Sequence, residues 1–226
     1  MDKNSSPVAE VGPAGTGLWK TFAASTGALA LGLAGLLQAT AQGNAFTTES
    51  LRRTEVAHAP SPVPELAVHD ADGKPSTLRQ LLAEGGRVWI VDFVYTRCQT
   101  VCTALGSVFQ QLQQQIQARG LEGRVGLLSV SFDPAHDTAE SLKAYRDRMR
   151  MDPAIWGIVT LSSALDRRAL LDAFGIMVIP APLGEFEHNA ALHLVTGPGM
   201  LVRIIDYEDA AFALEAALQA ALDARP

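Results

Sequence analysis

Two hydrophobic periods take turns along this chain, and together they predict an α/β protein. Residues 66–69, the turn Asp70-Ala71-Asp72-Gly73 and residues 77–82 predict a short strand, a turn and a short helix. Residues 87–94 (RVWIVDFV) are an unbroken β-rich run, long enough for a buried strand. Leu105, Val108, Phe109, Leu112 and Ile116 then recur at spacings of three or four. That predicts an amphipathic helix, with Gln110, Gln111, Gln113 and Gln114 toward solvent and Gly120 as its stop. Residues 125–132 (VGLLSVSF) read as a second buried strand. Asp137 or Thr138 N-caps the helix after it, with Glu140 in its first turn. Residues 157–161 predict a short strand and 166–174 a helix. Residues 190–195 and 201–207 flank Thr196-Gly197-Pro198-Gly199 as a hairpin, and the alanine-rich stretch 210–224 is a final helix.

The order strand–helix–strand–helix–strand–helix–hairpin–helix is an α/β pattern. A β-α-β crossover sets the two apolar strands side by side and parallel. It also puts the chain's two cysteines where strand 87–94 hands over to a helix. Open α/β sheets build their sites at that carboxyl end.

The N-terminal pattern is different. Residues 21–48 carry no charge, and the apolar heart is 28–37, within 21–37. Two readings stand for 21–41: an uncleaved transmembrane anchor, or a signal peptide cut after the small residues Ala39-Thr40-Ala41. Either exports the remainder of the chain, as a domain anchored on the periplasmic side or as a soluble exported one. Residues 1–20 read as a tail. Residues 42–64, polar and then Pro-rich (Ala59-Pro60-Ser61-Pro62-Val63-Pro64), read as a linker, and 65–226 as the folded domain.

Composition narrows the function. Of 226 residues, 48% are hydrophobic and 19% charged, enough apolar material for a real core. A net charge of −6 with scattered Lys and Arg leaves no electrostatic footprint for nucleic acid.

Cys98 and Cys102, the only two cysteines, read as a working pair, since a structural staple usually closes a longer loop; a plain structural disulfide or two buried thiols is the alternative. A helix N-terminus offers unpaired N–H groups and a positive dipole end, and Arg97 adds a charge; all of these favour thiolate. Thiolate both attacks disulfides and binds metal. The C-x3-C spacing is one residue longer than the C-x2-C redox motif, giving the sulfurs more freedom to point at one ion. Soft sulfur favours Cu(I), with zinc as a competitor; a structural zinc site wants four ligands. Of the five histidines, His58 falls in the linker, His69 precedes the Asp-Ala-Asp-Gly turn and is expected to be exposed, His136 lies in a loop after a strand, and His193 is inside an apolar strand. His188 ends the loop 180–187 just before a strand. Position alone leaves it either a ligand or a solvated loop residue.

Four stretches resemble the Sco/SenC family of copper proteins, over roughly residues 60–207. They are Phe93-Val94-Tyr95-Thr96-Arg97-Cys98-x3-Cys102, the run Val130-Ser131-Phe132-Asp133-Pro134-Ala135-His136-Asp137-Thr138, residues 171–175 with the loop after them, and His188-Asn189 before an apolar strand. The resemblance implies a thioredoxin-like fold with a central mixed sheet flanked by helices. It implies one copper, Cu(I) or Cu(II), per chain, held by Cys98, Cys102 and His188. It implies delivery of copper to the Cu-A site of cytochrome c oxidase subunit II, another exported copper or thiol client, or reduction of the disulfide occupying such a site. In that reduction Cys98 attacks and Cys102 resolves. Gln99 and Thr103 stand where the family often has proline, and Asn189 where it often has Ser or Thr. The residues themselves leave a metal-free thiol–disulfide oxidoreductase as the alternative. A peroxidase, which needs one activated cysteine in a specific pocket, fits the close pair less well.

Overall fold

The two apolar runs become neighbouring parallel strands at the heart of one sheet. The computed structural model describes residues 15–39, 47–98, 101–182 and 185–223, with the backbone alone for 15–18, 39, 48 and 101–103. Its elements in chain order begin with α1 (Gly15–Ala39), α2 (Thr48–His58), β1 (Ser61–Pro62), β2 (Ala67–Asp70), β3 (Pro75–Thr77), α3 (Leu78–Ala83), β4 (Val88–Val94), α4 (Val101–Ala118) and β5 (Val125–Ser131). Next come α5 (Ala139–Met149), β6 (Trp156–Leu161), α6 (Arg167–Phe174), β7 (Val178–Pro180), β8 (Phe186–His188), β9 (Ala191–Thr196), β10 (Met200–Asp206) and α7 (Ala210–Asp223). By its contacts the chain divides into two units, Met1–Thr54 and Glu55–Pro226.

In the first unit α1 presents its apolar side chains outward, with Leu29, Leu31, Leu33 and Leu36 all exposed. Its segment Trp19–Gln38, 20 residues long, has the length and composition to cross a membrane. Within the stretch that reads as a linker, α2 forms. Thr47 and Ser50 start it by reciprocal bonds, each hydroxyl accepting the other residue's backbone N–H at 3.0 and 3.1 Å.

In the second unit, eight strands are ordered β1-β10-β9-β4-β5-β6-β2-β3, while β7 and β8 pair only with each other. Strands β4, β5 and β6 are parallel, and β9 joins β4 antiparallel, so the sheet is mixed. Every residue of β4 and β5 is buried, as strands covered on both faces must be. On one face Leu105, Phe109, Leu112 and Ile116 of α4 are at most 1% exposed; each buried side chain of this kind contributes roughly 1.5–3 kcal/mol. Phe109 meets Trp156 there at 5.3 Å, and Trp156 Nε1 donates to Ser129 Oγ of β5. Gly126 faces the Trp89 ring so closely that a Cβ would lie 2.6 Å from it. On the other face Phe93 packs on Phe174 and His193.

Two local expectations change, at Gln113 and His69, and the choice of N-cap for α5 is resolved. Gln113 is buried, not solvent-facing: its amide donates to Arg150 O and its carbonyl accepts from Asp152 N, tying α4 to the end of α5. Its apolar stem lies inside while both polar ends find backbone partners, which the helical period cannot reveal. Thr138 is the N-cap of α5, accepting from Ser141 N, while Asp137 turns inward. His69 is half-buried in β2, opposite Thr160 of β6.

Candidate metal and thiol site

The site gathers at the carboxyl ends of β4 and β5. Past Val94 the chain turns, and Cys98 N donates to Tyr95 O at 3.1 Å. Cys98 is 7% exposed. It lies three positions before Val101, the first residue of α4. Cys102 belongs to the first turn of that helix, and its side chain lies outside the described residues.

The Cys98 turn is held from beneath by the segment after β5. Asp137 accepts from Thr96 N at 3.0 Å, from Thr96 Oγ1 at 2.6 Å and from Ser131 Oγ at 2.5 Å. Burial outweighs these donors and raises the Asp137 carboxyl above the usual range. Arg148 donates to Thr96 O at 3.1 Å, fixing the turn from α5. Arg97 pairs with buried Asp133 at 3.0 Å, and His136 Nδ1 meets the same carboxylate at 3.0 Å. The charge that the sequence assigns to Cys98's neighbour is therefore largely matched by Asp133. His136 joins this support rather than the sulfur.

His188 reaches the site on β8, as the end of a short hairpin rather than of a loop. Register pairs it with Val178 of β7. Gly175, left-handed at φ 63°, ends α6 and turns the chain toward β7. The next residue after His188 closes the hairpin's base: Asn189 Oδ1 accepts from Met177 N at 2.7 Å, and its Nδ2 donates to Gly175 O at 3.1 Å. Aromatic rings surround the imidazole, Phe132 at 5.2 Å and Tyr95 at 6.4 Å. Arg167 stacks over Phe186 at 4.6 Å and over Phe132 at 5.5 Å.

The electrostatics suit a soft metal. His188 Nδ1 lies 3.1 Å from Asn189 O. A carbonyl can only accept, so Nδ1 carries the proton and Nε2 the lone pair. Burial holds the imidazole below its ordinary pKa; the Asn189 carbonyl and then the charge of nearby Cys98 pull it part of the way back. The His188 ring, far along the chain from Cys98, thus lies within reach of that residue's charge. A neutral imidazole beside a cysteine is the donor set soft copper takes. Among the described residues no cluster of three His, Cys, Asp or Glu side chains forms, and the Cys102 side chain lies outside them. His193 is buried elsewhere, its Nε2 donating to Phe174 O at 3.1 Å, and His58 is exposed on α2.

The aromatic surround of His188 and the inward role of Asp137 are what sequence reasoning misses. A trace of the first was present: Tyr95 and Phe132 each lie one residue past the end of an apolar strand, at the same sheet edge as the cysteine turn.

A mixed sheet with helices on its faces, and a cysteine turn at a strand's carboxyl end, define a thioredoxin-like protein. The chain belongs to the SCO1/SenC family, whose model matches residues 62–223. The SCO1 protein homolog of Bacillus subtilis (strain 168) is 27% identical over 134 residues, 58% of this chain and 67% of that protein. The SCO1/SenC family lipoprotein from Bacillus anthracis str. Ames superposes with a TM-score of 0.60 at 26% identity, over 71% of this chain and 98% of that one. Arabidopsis thaliana ScoI with copper bound shares the fold at 18% identity and a TM-score of 0.58, over 70% of this chain and 99% of its own.

Proposed function

We propose that this chain is a copper carrier for the assembly of the Cu-A site of cytochrome c oxidase, binding one copper through Cys98, Cys102 and His188. The observation that carries the reading is the buried Cys98 beside a neutral, oriented His188. Membership of the SCO1/SenC family and the copper bound by the Arabidopsis relative support it. Copper is the cargo. The chain's own part is to present two thiolates and one ring nitrogen, and to screen them from water with Tyr95, Phe132 and Phe186. The span Trp19–Gln38 supports a membrane tether; in this reading the domain stands on the periplasmic side.

The two cysteines also support exchange with a client disulfide. One thiolate attacks a client sulfur, the second resolves the mixed disulfide, and the client leaves as two thiols while Cys98 and Cys102 close their own bond. Bound copper masks the same sulfurs, so the two activities exclude one another.

The test is copper titration of the reduced full-length chain in detergent, followed by absorption and electron spin resonance. We expect one copper per chain. His188→Ala should lower Cu(II) affinity by more than the roughly 10–100-fold of a lost outer partner, and leave dithiol oxidation nearly unchanged. If that variant kept affinity and spectrum but lost disulfide reduction, the carrier reading would be abandoned.

A further inference from the structure

Among the described residues, the hairpin that carries His188 shares no ladder with the eight-stranded sheet. Something else must fix how far the imidazole stands from Cys98. Asn189 secures the hairpin's base. Near the imidazole itself, one side chain reaches across from the cysteine strand: Tyr95, 1% exposed. Its hydroxyl donates to Phe186 O at 3.1 Å and accepts from Phe186 N at 3.2 Å, bridging 91 residues of sequence. Phe186 lies two positions before His188, on the same side of β8. Opposite Pro180 it occupies a non-hydrogen-bonded rung, since the next rung carries the bond from Ala181 N to Glu185 O, so its N–H and C=O point away from β7 and toward Tyr95. The same tyrosine's backbone carbonyl receives Cys98 N at 3.1 Å. A single residue thus bonds both the turn that carries the sulfur and the hairpin that carries the ring.

We propose that the Tyr95 hydroxyl is the latch that holds the His188 hairpin against the cysteine turn, making Tyr95 the positioning residue for the third copper donor. This rests on the reading that His188 is that donor. A phenylalanine would fill the same space and keep the ring contacts with Phe132, Phe186 and His188. It would lose the hydroxyl's two bonds to the hairpin. The latch also divides the two chemistries: with the hairpin held, the imidazole joins the sulfurs in binding copper, and with it released, Cys98 is bared to a client disulfide.

The experiment compares the wild-type full-length chain, Tyr95→Phe, His188→Ala and the double variant, titrated with Cu(II) in detergent. Tyr95→Phe should lower Cu(II) affinity about tenfold, the effect of two modest hydrogen bonds partly replaced by water. Its Cu(II) spectrum should move toward that of His188→Ala, and its thiols should react faster with a small aromatic disulfide. In the His188→Ala background the same substitution should change affinity less than about twofold, since a latch has nothing left to position. Backbone hydrogen exchange over 178–188 should quicken in Tyr95→Phe. Wild-type affinity, spectrum and hairpin protection in Tyr95→Phe would overturn the latch and leave the carrier function standing. So would an equal loss with and without His188, the mark of general destabilisation. If His188→Ala itself left copper binding unchanged, the carrier reading would fail and the latch with it.

Discussion

Among single residues Asp92 departs furthest from the expected. It lies mid-strand in β4, opposite Ser129 of β5, with no exposure and no well-formed hydrogen bond to either carboxylate oxygen. Burial pushes its pKa up to about 7; the Ser129 hydroxyl and its own backbone N–H offset only part of this. The folded chain therefore keeps a proton that the unfolded chain releases near pH 4. The stability this group contributes is fully present below that pH and is lost as pH rises through 7, on the order of 4 kcal/mol in all. Asp92→Asn should flatten the fall in stability between about pH 4 and pH 8, read by urea denaturation with tryptophan fluorescence. An unaltered pH slope would show that the carboxyl ionises as freely as in water. The sequence displays Asp92 as one charge in an apolar run, and the run's length rightly makes it a buried strand. Its protonation follows from packing on both faces, which no local pattern encodes.

For single elements, the contrast is between β4, β5 and α4, legible from their periods, and the β7–β8 pair, which is not. Three-residue strands flanked by prolines carry no period, and Phe186 and His188 are held by partners 91 residues away or by stacking. The turn after β4 shows the same dependence. Its motif marks the cysteines, but its shape comes from Asp137, 41 residues on. Asp137→Ala removes three hydrogen bonds and strands buried donors at Thr96 and Ser131. We expect a loss of about 2–4 kcal/mol in urea denaturation, with Asp137→Asn restoring part because its carbonyl still accepts. A loss below about 0.5 kcal/mol would mean the turn stands without this support.

For the molecule as a whole, the neighbours in the parallel core follow from strand–helix–strand order, while the edges β1 and β3 escape a sequence reading because they are two and three residues long. The apolar N-terminal segment is legible by composition alone, since nothing in its own pattern calls for a packed partner. Membrane fractionation tests its part. The full chain should pellet with membranes and resist carbonate extraction, and removing residues 1–41 should release the remainder to the soluble fraction. Release of the full chain by carbonate would argue against a spanning helix.

The separation of β7–β8 from the main sheet has an evolutionary corollary. An appendage that shares no rung with the scaffold can be recut without endangering it. On the reading proposed above, substituting or lengthening those few residues would remove the nitrogen donor and leave both cysteines, and with them disulfide exchange. Specialisation would then be a matter of editing one short arm.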